Sequence, residues 1–152
     1  MLDKNGRNIK TGDVVRISNA FFKNDNGLYF VENSEGDPSW HGNDHCLKKI
    51  SKKGKISTAK HNICFWPIMI TVSDRDKKYQ AKAWNKEHAE IEIVSGIDCA
   101  EIVAYFKGMA DNLNIAIDRA SLQYGKDSYW ENYYKTIQAH YLSVAARVLV
   151  GA

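Results

Sequence analysis

Five residues between positions 41 and 64, namely His41, His45, Cys46, His61 and Cys64, carry imidazole and thiol donors of the kind that grip zinc. A His-x3-His spacing and a His-x2-Cys spacing could each hold one ion from a single loop or strand end, but their order matches no standard metal module. Three of the five also fall in or beside strand patterns, where alternation sends neighbours to opposite faces. A zinc site built from His41, His45, His61 and Cys64 is therefore the alternative to a plainer reading of surface histidines and small buried thiols, and no cofactor is expected. Asp37, His41, Asp44 and His45 crowd the same polar loop, and imidazole beside carboxylate is what proton transfer needs. A zinc-dependent or hydrolytic enzyme is thus a second alternative. Turns collect Asp and Asn for local reasons, however, and the sequence lacks a Gly-x-Ser-x-Gly elbow, a phosphate-cradling loop and a dinucleotide fingerprint. The expectation is a non-enzymatic protein without catalytic residues.

Charge gives a clearer binding signal. Lys48, Lys49, Lys52, Lys53, Lys55 and Lys60 lie in a stretch free of Asp and Glu, although the whole chain carries only +3. A local positive patch follows, not a general attraction for polyanions. Trp40 and Trp66 flank the lysines and could add base stacking to phosphate attraction. Only Arg16 and Arg75 accompany them, so any nucleic-acid contact should be to backbone, salt-sensitive and poor in sequence preference. The competing reading is a solvated lysine turn that protects a sheet edge.

These residues must be positioned by short strands. Val14-Val15-Arg16-Ile17 follows the turn chemistry of Thr11-Gly12-Asp13, and Leu28-Tyr29-Phe30-Val31 follows Asn24-Asp25-Asn26-Gly27. Cys46-Leu47-Lys48-Lys49-Ile50 and Lys55-Ile56-Ser57 flank Lys53-Gly54 as a hairpin, and Ile63-Cys64-Phe65-Trp66 is the most apolar strand, ended by Pro67. Residues 73–88 read as a short helix opened by Ser73-Asp74, with Tyr79 and Trp84 expected to plug the core. Ile91 and Ile93 alternate with Glu90 and Glu92 as one more strand.

The Gly-Asp-Val-Val-Arg-Ile opening, followed by Gly27-Leu28-Tyr29-Phe30-Val31, resembles the start of KOW-type and other SH3-like small barrels. That likeness covers the first third of the chain and implies a binding face for RNA, DNA or protein. The long polar insertion over residues 34–44 departs from the pattern.

Beyond Ser95 and Gly96 the character of the chain changes. Asp98 with Glu101 and Ser128 with Glu131 each have the spacing of a capping box. From Ile102 an apolar stripe runs through Phe106, Met109, Leu113, Ala116 and Ala120; from Trp130 another runs through Tyr134, Ile137, Tyr141, Val144 and Val148. With Gly125 at the turn, two antiparallel helices are expected, packed at about 20°. Such a hairpin has no third wall, so its seam needs a sheet or another subunit. Tyr124, Tyr129, Trp130 and Tyr133 are the candidate protein interface, since aromatics dominate interface hot spots. The apolar tail Val148-Leu149-Val150 also calls for burial, and a homodimer is one way to supply it.

The fold class expected is α+β: a small SH3-like barrel or rolled antiparallel sheet with a short helix over residues 1–95, then a helical hairpin over 96–152, in one cooperative unit. An odd count of three cysteines, the absence of an apolar leader and the absence of a long apolar run lead us to expect a cytoplasmic protein with reduced thiols and no membrane contact. In general style such compact, mildly basic, motif-poor chains are similar to phage and mobile-element accessory proteins, including inhibitors of host nuclease defence. That likeness implies stoichiometric occupancy of a host nuclease complex.

Overall fold

The computed structural model describes residues 1–40, 45–58, 62–64 and 75–151, with backbone only for 62–64 and 75–79. Its strands are β1 (Val14–Ser18), β2 (Gly27–Asn33), β3 (Cys46–Ile50), β4 (Asn62–Cys64) and β5 (Glu90–Ile93), and its helices α1 (Arg75–His88), α2 (Ala100–Tyr124) and α3 (Tyr129–Gly151). The strands form one sheet in the order β4-β3-β2-β1-β5, with every neighbouring pair antiparallel. The α+β class and the helical hairpin are as the sequence implied, and of the two sheet forms expected the closed barrel is not formed. The outer edge of β5 is already occupied: Lys4 donates its N–H to Ile91 O at 2.9 Å, and Ile93 N–H donates to the buried Asp3 carboxylate at 3.0 Å. The N-terminal turn thus satisfies the edge that closure would have used.

Strand alternation gives the sheet two apolar faces. Val14, Leu28, Phe30 and Ile50 face the helical hairpin and join Ile102, Val103, Phe106, Ile137, Tyr141, Val144 and Val148 in one core. Phe30 packs edge-on against Tyr105 and Phe106 with centroids 5.2 and 5.8 Å apart, contacts each worth about 1 kcal/mol beyond burial. On the opposite face Val15, Ile17, Tyr29, Val31, Leu47 and Ile91 pack with Ile9 and Ala20.

Two local expectations are corrected. Asp98 accepts Ala100 N–H at 3.0 Å, but the N-cap position of α2 falls on Cys99 and Glu101 does not reach back. Its carboxylate crosses to the Lys55 ammonium at 3.0 Å and accepts Ile56 N–H at 3.3 Å, because the turn after β3 offers a cation and a free amide. Trp84 does not plug the core. It is 40% exposed, with its indole N–H donated to Asn19 O, since the buried face of α1 is formed by Ala81 and Asn85; Tyr79's side chain lies outside the described residues. In the tail only Val148 is buried, while Leu149 and Val150 point outward on the far side of α3.

Two points join these parts. Gly54, at φ +79°, lies so close to the start of α2 that a Cβ there would sit 1.8 Å from Asp98 O. Glu131, buried at the base of the α2–α3 turn, has its carboxylate held below the ordinary value of 4.5, first by the Lys135 ammonium at 2.7 Å and then by the Ser121 hydroxyl. Ser128 Oγ accepts Glu131 N–H at 3.3 Å, so half of the second capping box is formed.

Gly36, at φ +87° with open space around its Cα, separates backbone strain from collision. Gly36→Ala should cost about 1 kcal/mol and Gly54→Ala about 3 kcal/mol in urea unfolding; equal costs would show that the turn yields freely. For Glu131, a folded pKa below the unfolded one means stabilisation that is complete above pH 4.5 and lost as pH falls through the folded value. Glu131→Gln should flatten the urea midpoint against pH below 4.5, and parallel curves for the two proteins would remove Glu131 from that account.

Candidate protein-binding surface

Burial by the sheet covers only part of the hairpin. The fully buried part of the shared core ends at Ala110 on α2 and begins at Ile137 on α3, with half-buried Leu113 and Tyr133 packed at its border. From Ala110 to the end of α2 at Tyr124 the helix rises about 20 Å, so the far end of the hairpin projects beyond the sheet. Gln138 ties the two helices just before that projection, donating to Ala110 O at 2.9 Å and to Asn114 Oδ1 at 2.8 Å.

At the projecting end the first two turns of α3 carry a connected set of rings. Tyr129 stacks on Tyr133 one helical turn later at 6.3 Å, and Trp130 meets Tyr129 edge-on at 5.2 Å, Tyr133 at 5.7 Å and, across the turn, Tyr124 at 6.5 Å. All four aromatic residues proposed from sequence are therefore neighbours. Tyr129 is 72% exposed, Tyr124 55% and Trp130 43%. A groove of about 560 Å³ opens between the helices, lined by Ile115, Arg119, Gln123, Tyr124, Trp130 and Tyr134. A second, of about 340 Å³, lies between Pro38 and the Tyr129–Tyr133 pair. Contiguous exposed apolar surface with polar residues at its rim is the composition of an interaction surface.

The lysines are dispersed by the strand that carries them. Lys48 lies on the hairpin face, near Glu32 and over the Tyr105 ring; Lys49, paired with Tyr29, lies over that ring and donates to Asn24 O at 2.7 Å. Lys55 is bound to Glu101. Lys52 and Lys53 stand exposed at the turn. Trp40 is half-buried, and Lys60 and Trp66 lie outside the described residues.

The polar loop that carries Asp37 and His45 contributes to a cavity of about 390 Å³ lined by Thr11, Ser34, Asp37, His45, His140 and Arg147 among others. The Thr11 hydroxyl and Ser34 N–H donate to Asp37 Oδ2, and His140 Nε2 lies 3.5 Å from the same oxygen. His45 is buried, which holds its imidazole below the usual value, so the ring is neutral at pH 7. His41 and Asp44 lie outside the described residues. Among the described residues no three His, Cys, Asp or Glu groups converge as a metal site; His61 and the Cys64 side chain lie outside them, and Cys46 follows His45 directly, so alternation turns it to the opposite face.

Sequence reasoning missed His140, which sits in the interior of α3 between apolar positions, and missed Ile115 and Leu122, which fall off the packed stripe of α2. A seven-residue spacing between those two was the available signal for a second apolar strip. Among the described residues no helix is long and apolar enough to cross a membrane. Comparison with protein-family models, curated proteins and solved structures finds no match to the chain.

Proposed function

We propose that this chain is a non-catalytic binding protein that acts by stoichiometric occupancy and docks a protein partner on the projecting end of its helical hairpin. The observation that carries this reading is the connected cluster of exposed Tyr124, Tyr129 and Trp130, joined to the core through half-buried Tyr133 and flanked by two grooves. Rigid aromatics lose little conformational freedom on binding and carry most of the energy at interface centres. Similarity in style to phage and mobile-element accessory proteins adds a target class, a nucleic-acid-binding host complex whose site is blocked.

The polar cavity around Asp37, His45 and His140 favours a second reading, the binding or turnover of a small polar molecule. The two readings separate in one experiment. In a pull-down from the source cell, with nuclease and at raised salt, Trp130→Ala and Tyr129→Ala should each reduce partner capture about tenfold or more, while His140→Ala leaves it unchanged. Capture lost on Lys52→Glu with Lys53→Glu, or on nuclease treatment, and kept in the aromatic variants would replace protein docking with nucleic-acid binding.

A further inference from the structure

The ladder between β3 and β4 pairs Cys46 with Cys64, Leu47 with Ile63 and Lys48 with Asn62. Two of the three cysteines of the chain therefore occupy directly opposed positions on neighbouring antiparallel strands. Positions so paired lie on one sheet face with Cα atoms roughly 4.5 to 5.5 Å apart. A disulfide spans Cα separations of roughly 4.4 to 6.8 Å, so the ladder register alone meets the distance requirement. Cys99 is different. It sits at the start of α2, its thiol donates to Ile97 O at 3.3 Å, and burial pushes that thiol up and away from the reactive thiolate form.

We propose that Cys46 and Cys64 are a disulfide site, closed by a small-molecule disulfide of the oxidised glutathione class. One cysteine thiolate attacks a sulfur of the oxidant and expels one glutathione thiolate, leaving a mixed disulfide. The other cysteine thiolate then attacks the protein sulfur of that mixed disulfide and expels the second glutathione. The protein gives up two protons and two electrons, and the S–S bond of the oxidant takes them as two thiols. Opening of the sheet edge admits the reagent, since Cys46 is buried and β4 stands at one end of the strand order.

The consequence falls on β4 and on the lysine turn that precedes it. Three pairs of this ladder lie among the described residues, and a slip of one residue would exchange the two faces of β4. A Cys46–Cys64 bond permits one register only, and it closes a loop containing Lys52, Lys53 and Lys55. Thiol redox state then sets how firmly this edge of the sheet is held.

The test equilibrates the full chain with excess oxidised glutathione, denatures it, alkylates the remaining thiols and measures intact mass and peptide linkage. The expected product is a monomer that has lost two hydrogens, carries a single alkyl group on Cys99, and yields a peptide joining residues 46 and 64. Cys99→Ala should close the same bond, and the oxidised protein should melt several degrees above the reduced one. Three alkylated cysteines, a persistent glutathione adduct, a bond to Cys99 or a disulfide-linked dimer would each overturn the proposal.

Discussion

Phe30 lies in ring contact with Tyr105 and Phe106, and the preceding residue, Tyr29, is fully buried on the other side of the same strand. A strand with large apolar groups on both faces must be covered twice. On one face the cover is the helical hairpin; on the other it comes from Ile9, Ala20 and the chain around β5. The Tyr29 hydroxyl donates to Asp25 O at 2.8 Å, so the polar end of that ring is satisfied inside the core.

This constraint also accounts for what remains uncovered. The sheet is only five strands wide and β2 lies at its centre, so it can hide the hairpin only around Phe106 and Tyr141. Twenty-five residues in α2 and twenty-three in α3 exceed that need. The surplus length carries the rings of Tyr124, Tyr129 and Trp130 away from the sheet, where nothing in the fold requires aromatic side chains.

Periodicity made the helices legible. The packed residues Ile102, Phe106, Ile137, Tyr141, Val144 and Val148 all lie on the stripes that spacing defines, and the first two strands begin within a residue of their turn signals. What could not be read was where polar side chains go once the chain is compact. Glu101 has the spacing of a cap but finds Lys55 through the tertiary fold, and Trp84 looks like a core residue until Ala81 and Asn85 take the inward face of α1. The polar cavity joins Thr11, Asp37 and His140 from three distant segments, and no local pattern encodes that meeting. The aromatic cluster was legible because its members sit within ten residues of one another on either side of a turn.

The order of synthesis gives the hairpin's position after the strands a further meaning. Ribosomal emergence presents Leu28 and Phe30 first and their lid last, so the nascent sheet carries an open greasy face until the residues of α3 have left the exit tunnel. The lid itself needs only contacts between sequence neighbours, which form far faster than the pairing of β1 with β5 across more than seventy residues. It can therefore arrive as a ready-made unit, and collapse of the two parts becomes a single docking event timed by the release of α3.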